Sequence, residues 1–271
     1  MVESTTPVGL WRSACAHDPS RPFVTAYDET GGRVELSYAT LDNWVAKTAN
    51  MIVDGLAALP GERIVLALPI HWQSIAWLLA CWHTGTVAVP AAPEDGEPLP
   101  EGDIVVCGPR RLDTALDSTA RDVVATSLHP MGAPLADCPP PALDYASEVR
   151  GFADQFRATG ALDGAAAACD WAGETISAGE LAARGSARAK DWELTSADRV
   201  AIITDAAQSP GVAGSGLAWL LAPVCSASGL MLTSDNNSDR LAEWLAMERI
   251  TAMLDATPGH AGTVDNIRAL I

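Results

Sequence analysis

Basic residues are scarce in this sequence. Lysine and arginine number 17 against 34 aspartates and glutamates, leaving a formal charge of −17 over 271 residues. A field of that sign repels phosphate backbones and anionic lipid surfaces, so no nucleic acid and no membrane is expected as a partner. Long apolar runs are missing too. Ile75 to Trp82 and Leu217 to Cys225 have the length of buried helices, well short of the ~20 residues that cross a bilayer. The first residues, Met1-Val-Glu-Ser-Thr-Thr6, carry no basic start ahead of an apolar stretch, which speaks against secretion and for the cytoplasm. The six cysteines, at 15, 81, 107, 138, 169 and 225, form no Cys-x-x-Cys pair and have no clustered histidines. They read as buried cytosolic thiols, and no metal site is expected. Phenylalanine and tyrosine are few, three each, against nine tryptophans. Large aromatics either fill a core or form an exposed patch for a partner, and the sequence leaves both open.

What is present is a globular composition, 48 % hydrophobic and 19 % charged, long enough for one large domain or two small ones. The chain also repeats itself. Ala-Trp-Leu-Leu-Ala occurs at Ala76 to Ala80 and again at Ala218 to Ala222. Ser37-Tyr-Ala-Thr-Leu41 answers to Ser177-Ala-Gly-Glu-Leu181, and Glu62-Arg63-Ile64 to Asp198-Arg199-Val200, in the same order and at nearly the same spacing. Three matches in register indicate a duplicated unit.

The periodicity says what the unit contains. Leu41, Trp44, Val45, Thr48, Ile52, Val53 and Leu56 predict an amphipathic helix over Ser37 to Leu59. Arg63 to Leu68 is a continuous apolar run, as in a strand covered on both faces. A helix from about His71 to His83 follows, with Gly85 as its stop, then strands at Thr86 to Pro90, Asp103 to Cys107 and Asp122 to Thr126. Five prolines between Leu128 and Asp144 exclude a long regular element and mark a crossing segment. The second half repeats the order. A capping box at Ser177 to Glu180 opens a helix, and strands follow at Arg199 to Thr204 and Gly229 to Thr233. A helix from Ser238 to Glu248 and a last strand at Ile250 to Leu254 complete it. Such alternation predicts an α/β fold of two similar, helix-flanked, mainly parallel β-sheet subdomains. The expected division is 1–127, a Pro-rich crossing segment 128–160, and a second subdomain 161–271.

Three stretches carry a family resemblance. Leu36-Ser-Tyr-Ala-Thr-Leu-Asp-Asn-Trp44, Gly61-Glu-Arg-Ile-Val-Leu-Ala-Leu-Pro69 and Trp77 to Pro90 resemble the N-terminal part of the adenylate-forming, AMP-binding superfamily, which contains acyl-CoA synthetases and peptide-synthetase adenylation domains. In the second half Ala197-Asp-Arg-Val200 and Glu248-Arg-Ile-Thr251 resemble that fold's next subdomain. The resemblance implies an ATP phosphate loop, T-S-G-T-T-G-x-P-K-G, whose amides and lysine cradle the anion just before the Ser177 helix. The equivalent stretch here is Ala165-Ala-Ala-Ala-Cys-Asp-Trp-Ala-Gly-Glu-Thr-Ile176, with one glycine, no lysine, no proline and two carboxylates. The superfamily's Tyr-Gly-x-Thr-Glu motif and ribose-binding Asp have no counterpart, and its C-terminal lid would lie beyond Ile271. The expectation is therefore a truncated, degenerate relative of actinobacterial type.

Four local candidates remain. Gly211-Val-Ala-Gly-Ser-Gly216 could present amides to an anion but lacks the dinucleotide spacing and a nearby basic residue, and reads as a strand-to-helix loop. His71 and Trp72 lie where α/β sheets place ligands, yet read first as a cap and a packing residue. Cys81 and His83, two apart on a helix, do not share a face. Asp170 and Glu174 read as a solvated loop. No catalytic, cofactor-binding or metal-binding residue is nominated, and no cofactor is expected. The expected function is a non-catalytic binding or protein-interaction module, with an unidentified protein or a small acyl molecule as partner. The alternatives are a half-enzyme completed by a partner chain that supplies phosphate loop and lid, and a small acyl-ligand binder.

Overall fold

The computed structural model describes residues 5–28, 31–94, 96–158, 163–205, 208, 217–235, 237–257 and 266–270. The chain opens with helix α1 (Pro7–His17), whose N-cap Thr6 accepts the Gly9 N–H at 3.2 Å, with Pro7 in the first turn, where a missing N–H costs nothing. A hairpin follows, β1 (Pro22–Tyr27) and β2 (Arg33–Ser37). Ser37 then caps α2 (Tyr38–Asn50) by accepting the Thr40 N–H at 3.2 Å. The long predicted helix changes character here: its last turn, Met51–Gly55, is a π-turn, and it stops short of Leu59.

The order continues with β3 (Arg63–Ala67), α3 (Trp72–Thr84), β4 (Val87–Pro90), β5 (Ile104–Cys107), α4 (Leu112–Leu116), β6 (Asp122–Ala125), β7 (Leu143–Asp144) and α5 (Tyr145–Glu148). Gly85 ends α3 with φ +75, the left-handed C-cap that glycine accepts without steric cost. The second half supplies β8 (Ala167–Trp171), β9 (Glu174–Ser177), α6 (Ala178–Asp191), β10 (Arg199–Ile203), α7 (Ala218–Ser226), β11 (Gly229–Thr233), α8 (Ser238–Met247) and β12 (Ala252–Asp255). The expected last strand is followed by one more, β13 (Arg268–Ala269), which pairs parallel with β12. Between Leu128 and Asp144 the two-residue β7 is the one regular element, as five prolines require.

Two mainly parallel sheets result, ordered β7-β6-β5-β3-β4-β8-β9 and β13-β12-β10-β11-β1-β2. They have the same plan. In each, a crossover pair (β3 and β4, β10 and β11) sits at the centre, with strands continuing outward on one side and an antiparallel hairpin closing the other. The hairpins are exchanged. β1–β2, from the first half, adds to β11 with Val24 opposite Leu230, and β8–β9, from the second half, adds to β4 with Ala88 opposite Cys169. Sheet membership therefore does not follow the division at residues 127 and 161.

The repeat is visible in the packing. Trp77 and Trp219, at the same place in the twice-used pentapeptide, are both fully buried. At the amino ends of the strands each half builds the same polar clamp. The Arg63 N–H donates to Asp103 Oδ2 at 2.8 Å as the Arg199 N–H donates to Thr251 Oγ1 at 3.1 Å. Arg121 pairs with Glu62 at 2.9 Å as Arg268 pairs with Asp198 at 3.3 Å. These positions are among the family-like residues, Glu62-Arg63 and Asp198-Arg199 with Thr251, so their work in this chain is to tie strand ends together.

Candidate functional site

The stretch Ala165 to Ile176, where the resemblance would place a phosphate loop, contains a tight β-hairpin. Asp170 lies opposite Thr175 and Trp171 opposite Glu174, leaving Ala172 and Gly173 as a two-residue turn. Their φ angles are +52 and +81, the positive pair that a type I′ turn requires and that matches the right-handed twist of the strands it joins. The expected solvated loop at Asp170 and Glu174 is thus corrected: both stand on strands, where alternation of exposed and buried residues was too short to register. Asp170 is ion-paired with Arg63. Arg184 holds Glu174 at 2.5 Å and Glu180 at 2.8 Å. Hydrogen bonds from Arg184, against a small desolvation cost, lower the pKa of Glu174, so this carboxylate stays charged. Half of the capping box forms: Ser177 Oγ accepts the Glu180 N–H at 3.3 Å, while the Glu180 carboxylate turns to Arg184. A phosphate brought here would meet two carboxylates and a ladder whose amides are already bonded. The chain's two lysines are elsewhere, Lys47 donating to the Phe152 carbonyl at 2.5 Å and Lys190 in the last turn of α6.

At the carboxyl ends of the strands lies a cavity of about 480 Å³. One side is the end of the β1, β10 and β11 strands, with Tyr27, Asp28, Thr204 and Thr233; the other is the turn after β3, with His71, and the segment after β6, with His129. Ligands of α/β proteins bind outside the carboxyl ends of strands, and here two such ends face each other. The lining is mostly apolar, including Val34, Ile70, Leu128 and Leu232, and contains no lysine or arginine among the described residues. The Tyr27 hydroxyl is turned away, donating to Glu248 at 2.7 Å, and its ring stacks on Trp244.

His71 fills the cap role that its place predicts, its Nδ1 accepting the Gln73 N–H at 3.2 Å, and it lines the cavity as well. Loss of hydration lowers its pKa to about 3, with the nearby Asp28 charge pulling weakly the other way, so the ring is neutral at physiological pH. Trp72 is a packing residue, its Nε1 donating to the Pro130 carbonyl at 3.0 Å and its ring edge-on to Trp44. His129, which sequence reasoning passed over, repeats the His71 device: its Nδ1 accepts the Met131 N–H at 3.1 Å. The signal was available as a second histidine just after a strand. Asp28 was also missed; its carboxylate accepts the Gly32 N–H at 2.8 Å, a turn-closing bond for which Asp followed by Gly-Gly is a recognisable pattern.

The remaining candidates do not join this site. Cys81 and His83 are both buried in α3; burial pushes the Cys81 thiol up to about 12, and His83 Nδ1 bonds the Leu79 carbonyl at 2.8 Å. The Gly211 to Gly216 loop lies outside the described residues. Among those residues no group of three potential metal ligands occurs, and all six cysteines are free. The tryptophans go to the core: seven are buried and Trp44 and Trp171 are half-buried. No described helix is long and apolar enough to cross a membrane.

Two mainly parallel, helix-flanked sheets of this kind match the fold of the N-terminal domain of adenylate-forming enzymes. An acyl-CoA synthetase from Brucella canis superposes with a TM-score of 0.71 at 17 % identity, over 90 % of this chain and 47 % of that one. A putative long-chain-fatty-acid CoA ligase from Rhodopseudomonas palustris gives 0.69 at 17 % identity, over 92 % and 62 %. Residues 11–135 match the family model for AMP-binding enzymes, and the chain spans about half the length of the solved enzymes it superposes on. A Mycobacterium tuberculosis protein, named by its family and not by an activity, is 41 % identical over 145 residues. That match covers 51 % of this chain and 57 % of the relative, which makes the two similar in length.

Proposed function

We propose that this protein is a non-catalytic relative of acyl-adenylate-forming enzymes that acts by binding. The observation that carries the reading is the two-residue turn at Ala172 and Gly173. A phosphate loop works by offering several unbonded backbone N–H groups and a cation to the anion. A type I′ hairpin spends its amides on its own ladder, and Asp170 and Glu174 put negative charge beside it. At any reasonable dielectric a carboxylate facing a phosphate costs energy. Burial or half-burial of every tryptophan favours a small molecule over an aromatic-mediated protein contact as what is bound. The net charge argues against nucleic acid and anionic membrane, and the six unpaired cysteines suit the reducing cytoplasm.

ATP–pyrophosphate exchange with the purified chain and a panel of aliphatic, aromatic and amino acids is the direct test. The expected result is exchange at the protein-free background with every acid. Acid-dependent exchange above that background would end the proposal.

A further inference from the structure

The cavity at the facing strand ends has a chemistry of its own. A neutral imidazole carries one hydrogen, and the nitrogen that accepts a bond cannot be the one that bears it. His71 Nδ1 accepts from Gln73 N–H and His129 Nδ1 accepts from Met131 N–H, each from the residue two positions ahead. Both rings are thereby set in the Nε2–H tautomer. Each has one donor left, from two different loops that line the same space. Of the other polar groups there, Tyr27 Oη donates to Glu248 and Ser127 Oγ to the Ala133 carbonyl, while Thr233 Oγ1 accepts from the Asp235 N–H and the Thr204 and Ser234 hydroxyls line the same space.

Charge narrows the ligand. The lining has no cation among the described residues, and Asp28 contributes a carboxylate. A phosphate or free carboxylate would be desolvated without a counter-charge and beside a like charge, which is unfavourable. An uncharged oxygen acceptor needs only the two N–H groups. The volume, about 480 Å³, and the apolar walls are those of a small-molecule pocket.

We infer that this cavity is a binding site for an uncharged, mainly apolar small molecule, whose carbonyl-type oxygen is held by the Nε2–H groups of His71 and His129. The site is distinct in chemistry from one that takes a carboxylic acid and ATP, and it does not depend on whether the Ala172–Gly173 hairpin has lost phosphate binding.

The test is a titration of the full chain, labelled with ¹³C at histidine Cε1, with octanamide, octanoate and AMP, following the imidazole signals by NMR. The signals of His71 and His129 are assigned as those missing in His71→Asn and His129→Asn. Octanamide should shift both signals saturably, octanoate should bind at least about tenfold more weakly, and AMP should shift neither. His71→Asn keeps an oxygen that can accept the Gln73 N–H, so the cap persists while the donor is lost, and octanamide affinity should fall about tenfold. His129→Asn, at an exposed position, gives the same reading should the first variant misfold. Absence of a saturable octanamide shift at both histidines, or octanoate or AMP binding as tightly as octanamide, would overturn the inference. An ATP–pyrophosphate exchange result of either sign leaves it standing.

Discussion

Single residues carry the sharpest consequences at the hairpin turn and in the Glu248 cluster. Gly173 has φ +81 and nothing within 4 Å of where a Cβ would stand, so Gly173→Ala is a test of backbone conformation alone. It should lower stability by about 1 kcal/mol, read as a shift of the urea midpoint. Glu248 is the hub of a closed network, accepting from Tyr27 Oη at 2.7 Å and Arg33 Nε at 2.8 Å and pairing with Arg199 at 2.7 Å. Burial disfavours its charge, but hydrogen bonds from Arg33 and Tyr27 and the Arg199 charge outweigh this and lower its pKa below the usual 4.5. A lowered carboxylate stabilises the folded state in full above 4.5, and that contribution is lost as pH falls through the folded value. Glu248→Gln should therefore cost roughly 1–3 kcal/mol at neutral pH, Arg33 being partly exposed, and the gap to the parent should narrow below pH 4.5. Denaturant midpoints of both proteins across pH would show it; a gap that widens on acidification contradicts the network.

Among the elements, the α6–α7 crossing is tightly constrained. A Cβ on Gly185 would come 2.6 Å from the Leu221 Cβ and 3.3 Å from its carbonyl carbon. In an open helix interior Gly→Ala stabilises by roughly 0.5–1 kcal/mol. Here Gly185→Ala should destabilise by about 1–3 kcal/mol, and Leu221→Ala should not relieve it, because the offending atom is the Cβ that alanine keeps. Thermal unfolding of the two single variants and the double variant decides the sign. Elements of this sort were legible in the sequence to different degrees. The apolar runs at Arg63 to Leu68 and Arg199 to Thr204 and the helix with its His71 cap stand where periodicity put them, because central parallel strands and capped helices carry local signals. The hairpins did not show. In β8–β9 the residues Cys169-Asp-Trp-Ala-Gly-Glu-Thr175 mix charge and apolar character over too few positions, and the partner that makes Ala167–Trp171 a strand, β4, is some eighty residues away. The helix α1 was passed over although Thr6-Pro7 is a start signal, since its apolar stripe is weak. The cavity could be anticipated at His71 only, because the opposite wall comes from strands whose adjacency no local pattern encodes.

For the whole molecule the exchanged hairpins matter most. Each half supplies an edge of the other's sheet, and Tyr38 Oη donates to the Ser228 carbonyl across the halves at 2.9 Å. Fragments 1–127 and 161–271 should accordingly fail to fold when expressed separately, each leaving a central strand exposed as an unpaired edge. The intact chain should unfold in one transition, with tryptophan fluorescence and far-ultraviolet circular dichroism coincident. Two separated transitions, or a folded fragment, would show that the halves are independent. Trp77 and Trp219 and the paired clamps at the strand ends hold the packing of this fold together, and the proposed difference from an ATP-binding enzyme is the Ala172–Gly173 hairpin in place of a phosphate loop. Titration calorimetry of the purified chain with magnesium ATP measures that difference most directly. No saturable heat should appear, whereas a saturable isotherm with a Kd of about 1 mM or tighter would contradict a scaffold without its phosphate site.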